Sequence, residues 1–215
     1  MFRPALSALA LAVLSSGCAA GTVKGKVQDE TVPGMSQGLW ASVDIAGTLG
    51  IEIATTNVPK ACDTFTAVYQ AQADALKQYL QDFNSTKAQA AYEASEQDNL
   101  PEEYWTMQFS VTADSVGSAP GDYKFNDPGN SFVVSHVTGY TDWSHYFSDG
   151  TANAQSTTSA ANAGTGTIES IETDKAASAD GDADMIDEAG ESAGSITFKM
   201  DGDFCQGISD LLSGN

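Results

Sequence analysis

Trp105, Met107, Phe109, Val111 and Ala113 are apolar, and Thr106, Gln108, Ser110 and Thr112 fill the gaps between them. Five such alternations in a row predict a β-strand with one face buried and one face wet. The same period of two runs upstream. Leu39, Ala41, Val43 and Ile45 fall on one side, and Trp40, Ser42 and Asp44 on the other. Leu49, Ile51 and Ile53 resume the pattern after a turn at Ala46-Gly47-Thr48, which predicts a β-hairpin. Further short strands are predicted at Thr22–Gln28, from Tyr123 and Phe125, at Phe132–Val137, at Thr167–Thr173 and at Ser195–Phe204. Gly202 in the last of these predicts a bulge or bend.

One segment breaks the pattern. Phe65, Tyr69, Leu76, Leu80 and Phe83 recur at steps of three, four or seven, which predicts an amphipathic helix over Asp63–Phe83, capped by Asp63 and Thr64. Asn84-Ser85-Thr86 interrupts it, and a second helix is predicted over Lys87–Glu96. The Ser/Thr/Ala/Asn/Gly run at 148–166 reads as a surface loop and 174–193 as an acidic loop. Strands and turns without a regular strand–helix alternation predict a mainly β chain, an antiparallel sandwich or barrel with a helical insertion near 63–98, preceded by a signal helix. The division expected is 1–17 signal peptide, 18–38 anchor tether and first strand, and 39–215 a single β-rich domain.

Residues 1–17 carry that signal. Arg3 precedes an apolar stretch of about 10 residues, half of the roughly 20 that a spanning helix requires. Ser15, Ser16 and Gly17 then lead to Cys18. Leu14-Ser15-Ser16-Gly17-Cys18 resembles the lipobox of bacterial lipoproteins, although Leu14 stands one residue further from the cysteine than is usual there. The resemblance implies cleavage before Cys18, lipid attachment to it, and a stable membrane anchor. With Ala19 next, it implies the outer membrane of a bacterial cell envelope. Cleavage of a plain signal peptide after Ala20 is the alternative.

The formal charge of −20 becomes more negative once Arg3 is removed, since all 29 acidic residues lie beyond Gly17. Such a chain repels nucleic acid and anionic lipid surfaces. Of the 3 cysteines, lipidation of Cys18 would leave Cys62 and Cys205, whose simplest state in an oxidising compartment is a disulfide. Two buried thiols are the alternative. A bridge closing so much of the chain is worth at most about 4–5 kcal/mol on the chain-entropy account.

The hairpin leading to Val58-Pro59-Lys60-Ala61-Cys62, the turn Ala119-Pro120-Gly121-Asp122-Tyr123, and the strands Gly164–Glu172 and Gly194–Cys205 together resemble a loose group of exported bacterial lipoproteins of the myxobacterial type. The resemblance spans most of 39–205 and implies a β domain closed by Cys62 and Cys205. It implies no activity.

Two segments merit chemical scrutiny. Asp180, Asp182, Asp184 and Glu191 occupy positions 1, 3, 5 and 12 of a calcium-loop spacing, but Met185 stands where the sharp turn needs glycine. A solvated acidic loop is the plainer reading. Between His136 and Gly150, His136, Asp142, His145 and Asp149 lie among Tyr140, Trp143, Tyr146 and Phe147. These residues lack zinc-ligand spacing. Their aromatics read as a satellite core or, alternatively, as a sugar- or partner-binding loop. The chain contains no nucleophile-elbow, phosphate-loop or dinucleotide motif. The expectation is therefore a non-catalytic envelope lipoprotein with a binding or structural role, needing no cofactor or metal. Its partners would be the membrane, through the lipid, and an envelope protein or glycan. An envelope hydrolase with a carboxylate pair and a calcium-dependent adhesin-like module are the rivals.

Overall fold

A computed structural model describes residues 20–45 and 48–213. The signal segment 1–17, Cys18, and the turn residues Ala46 and Gly47 lie outside the described residues. The chain is mainly β, as its alternation predicts. Nine strands among the described residues form one sheet that folds back on itself into a sandwich-like barrel.

The near layer is antiparallel: β2 (Gln37–Ile45), β3 (Thr48–Thr56), β4 (Tyr104–Ala113) and β6 (Ser131–Val137). The far layer has β8 (Ala176–Ile186) at its centre, with β7 (Ser156–Ile171) and β9 (Ser192–Phe204) on either side. Its outer strands are β1 (Gly21–Gly25), on β9, and β5 (Gly121–Lys124), on β7. Two long strands turn the corners between layers. β7 pairs first with β6 and then with β5. β9 pairs with β1 and then, through Asp203 and Phe204, runs parallel to Leu39 and Trp40 of β2. That short parallel seam closes the ring.

The core lies between the layers. Phe198 stacks on Phe132 with ring centroids 4.1 Å apart and meets Phe109 and Phe125, each at 6.1 Å. Trp40, Ile51, Ile53 and Met107 complete the near side. On the far side, between the larger Ile168 of β7 and Ile196, Phe198 and Met200 of β9, β8 contributes mainly small residues, Ala177, Ala179 and Ala183. The aromatic rings occupy the space that these leave: a Cβ at Gly181 would stand 2.8 Å from Phe198 Cζ.

Here the structure corrects three expectations. The run at 148–166 is not a loop throughout, because β7 begins at Ser156. The acidic stretch 174–193 contains β8 and the start of β9. Asp, Ala and Gly have low strand propensity, so composition alone reads as loop. Pairing on both edges and small residues beneath large rings override that preference. Of the bulge or bend expected at Gly202, the bulge is absent. The residue's pairing with Ala177 is in register, and its missing Cβ admits the backbone of Leu39 at the seam.

The helical insertion is a hairpin of α1 (Ala61–Asp82) and α2 (Ser85–Asn99). α1 starts two residues before the expected Asp63. Lys60 takes a left-handed conformation (φ 50°), and Thr64 Oγ1 donates to Pro59 O at 3.0 Å instead of capping. The early start places Cys62 in the first turn, where it is disulfide-bonded to Cys205. Asn84 does cap α2, accepting from Lys87 N–H at 3.0 Å. α3 (Tyr146–Asp149) is a single turn, and α4 (Gln206–Ser213) ends the described chain. α1 and α4 cover part of the outer face of the near layer, where Leu39, Ala41, Ala61, Cys205 and Ile208 make a second small core. β2 is thus buried on both faces over Leu39–Ala41.

Candidate functional site

The outer face of the near layer is covered only in part. Between it and α1 a cleft of about 350 Å³ remains, within the size range of small-molecule sites. Glu52, Ala54, Thr106 and Gln108 form its floor, Phe65 and Tyr69 of α1 one wall, and Leu39 and Ile208 the end beside the disulfide. Tyr104, Ser135 and Val137 also line it.

Each of these residues is placed by a simple period. Glu52 lies between Ile51 and Ile53, which face the core, so its side chain faces out. Gln108 alternates likewise with Met107 and Phe109 and donates from its amide to the Glu52 carboxylate. Phe65 and Tyr69 are one helical turn apart on α1, with centroids 6.3 Å apart and planes 23° from parallel. Tyr104 meets Phe65 edge-on at 6.4 Å.

The electrostatics follow from burial. Desolvation pushes the Glu52 carboxyl above its ordinary value, and the Gln108 hydrogen bond offsets part of that rise. Desolvation also raises the Tyr69 phenol, although 45 % of the residue stays exposed, and the Glu52 charge adds to the effect. The Tyr104 phenol is pushed up to about 12, by burial first and then by the charges of Glu96 and Tyr69. Both phenols are therefore neutral hydrogen-bonding groups at ordinary pH. Glu52 is the one charged group among the lining residues, and no lysine, arginine or histidine stands among them.

The acidic residues of the calcium-loop spacing do not converge. Asp180, Asp182 and Asp184 alternate along β8 with buried Ala179, Ala183 and Met185, and so share the outward face. Successive members of such a row lie about 6.6–6.8 Å apart along the strand. Asp180 stands opposite Lys199, and Asp184 accepts from Ser195 Oγ at 2.6 Å. Glu191 lies beyond the strand end, in the turn to β9. No group of three metal-ligating side chains assembles among the described residues.

His136 and His145 have separate surroundings. The His136 ring stacks on Trp105 at 4.1 Å, with Nδ1 2.9 Å from Glu30 Oε2 and Nε2 3.0 Å from Glu103 Oε1. The two carboxylates sit at opposite edges of the ring. His145 is exposed, 3.9 Å from Asp149. Asp142 and Asp149 accept N–H and O–H bonds from Ser144 and Thr151, which hold both carboxyls below their usual range.

The neighbouring aromatics form a satellite core. Tyr92 of α2 is buried against Trp143, Tyr146 and Phe147, with centroids 4.8–5.5 Å apart. They fasten the helical hairpin to the 138–150 segment rather than presenting a binding loop. Cys62 and Cys205 meet as expected; Cys18 lies outside the described residues.

Sequence reading missed the cleft itself. Glu52 carries the signal, as a charged residue on a strand face whose other members, Ala54 and Leu39 of the paired strand, are apolar. No family model matches the chain, and neither a curated protein nor a solved structure matches it significantly.

Proposed function

We propose that the chain is a membrane-anchored lipoprotein of the bacterial cell envelope, held at the outer membrane through Cys18, whose β domain works by binding rather than by catalysis. The Leu14–Cys18 segment supports the anchor. The cleft supports the binding role: its lining combines aromatic faces, neutral hydrogen-bonding groups and one carboxylate, Glu52. Acid–base hydrolysis by paired carboxylates needs a second acid facing the first. The lining supplies none, which favours a site that holds its ligand unchanged.

Two measurements test the reading. Cys18→Ala is expected to move the protein from the membrane to the soluble fraction; unchanged fractionation would remove the anchor. Small molecules extracted from the envelope are expected to raise the melting temperature of the wild-type domain. They are not expected to do so for Ala54→Phe, in which a ring fills the cleft floor. An equal rise in both proteins would overturn the cleft as the site.

A further inference from the structure

The composition of the cleft narrows the chemistry of its occupant. We infer that it binds a small organic cation, a substituted ammonium group seated on Glu52 and ringed by Phe65, Tyr69 and Tyr104. This inference rests on reading the cleft as a binding site.

Three observations carry it. First, Glu52 is a carboxylate with no cationic partner among the described residues, and the structure gives it one neutral amide, Gln108, as hydrogen-bond donor. A half-buried charge held so incompletely gains from a ligand that brings the opposite charge. Second, three aromatic rings line the cleft. Phe65 and Tyr69 lie nearly parallel, and Tyr104 closes on Phe65 at an angle of 62°. Rings attract cations through their negative faces, and most strongly where water is excluded. Third, an anionic ligand has nothing here to hold it, since the lining contains no basic residue. A neutral polyol would leave the Glu52 charge uncompensated. The acidic surface of the whole chain adds long-range attraction for cations.

Inorganic cations fit less well. A hard metal ion takes six or more oxygens or a constrained set of ligands, whereas this site offers one carboxylate beside apolar rings. An alkylated ammonium satisfies both, with its charge on Glu52 and its methyl or methylene groups on the aromatic walls.

The test uses choline and its neutral isostere, in which carbon replaces the ammonium nitrogen. Titration calorimetry on the wild-type protein is expected to show saturable choline binding at least about tenfold tighter than that of the isostere, equivalent to about 1.4 kcal/mol. Glu52→Gln is expected to abolish the difference between the two. Tyr69→Leu alters a residue that is 45 % exposed and dispensable to the core. It is expected to weaken choline about threefold or more, the lower range of a cation–ring contact. Melting temperatures no lower than that of the wild type certify that the variants fold.

The same headgroup is carried by free solutes and by lipids. Displacement of choline by phosphatidylcholine vesicles but not by phosphatidylglycerol vesicles assigns the lipid source, and no displacement by either assigns the free solute. Equal binding of choline and isostere, or undiminished choline binding by Glu52→Gln, overturns the inference. If choline fails while the envelope extract still stabilises the wild type and not Ala54→Phe, the ligand class is wrong and the site stands. If both fail, neither stands.

Discussion

Glu52 and Gly202 show how much a single position can carry. For Glu52 the sign of its pH dependence follows from burial. Its folded value lies above its unfolded value, so the folded protein keeps the proton longer as pH rises. Below the unfolded value the group is neutral in both states and costs nothing. As pH climbs from there through the raised folded value, the protein loses stability, and the loss is complete above it. Glu52→Gln is therefore expected to raise the melting temperature at neutral pH and to leave it nearly unchanged near pH 4. A variant less stable than wild type at neutral pH would show that the carboxylate is compensated. At Gly202 an added Cβ would stand 2.7 Å from the backbone of Leu39. Gly202→Ala is expected to cost about 1–3 kcal/mol, read by denaturant unfolding, because the β2–β9 seam must open to admit it.

The elements divide between those that advertise themselves and those that do not. β3, β4 and α1 are legible because large apolar residues mark their periods. β8 is not. Its inward positions are Ala177, Ala179, Gly181, Ala183 and Met185, and between Ala176 and Ile186 at its ends the outward ones are Ser178, Asp180, Asp182 and Asp184. The alternation is present, but residues this small carry little hydrophobic contrast, and the acids suggest a loop or a calcium site. Only the partner rings, Phe198 above all, explain why small residues belong there. Since the aspartates point outward along a strand, calcium at about millimolar concentration, the range of weak extracellular sites, is expected to leave the melting temperature unchanged. α2 is weakly amphipathic and depends on Tyr92 for its docking. Tyr92→Ala is expected to free the α1–α2 hairpin from the 138–150 segment, costing about 3–5 kcal/mol. Hydrogen exchange should rise in α2 first and leave β4 protected.

At the scale of the molecule, the disulfide joins the start of α1 to the end of β9 and so fixes the helices that cover the near layer. The double variant Cys62→Ala/Cys205→Ala is expected to lose about 2–5 kcal/mol. If the cleft binds as proposed, the variant should also bind less well there, since the wall and end of the cleft stand on α1 and α4. Full stability on reduction would show that the bridge is dispensable. β1 starts at Gly21, and Asp201 N–H already donates to Ala20 O at 2.7 Å. A lipid on Cys18 would therefore hold this end of the barrel within about 7 Å of the attachment point, the reach of two extended residues.

The sequence by itself determined the class of the fold, the hairpin and the long helix, and made a Cys62–Cys205 bridge the simplest state of those two cysteines. Each of these rests on local periodicity or on cysteine parity, which the chain displays without reference to distant residues. Tertiary structure alone decided that β7 and β8 are strands, that β9 closes the ring against β2, and that Glu52 stands beside Tyr69 and Tyr104. Those facts depend on which surfaces meet. An alanine or glycine becomes a core residue only when a ring from another strand fills the space beside it, and a carboxylate on a strand face comes to line a cleft only when a helix lies over it.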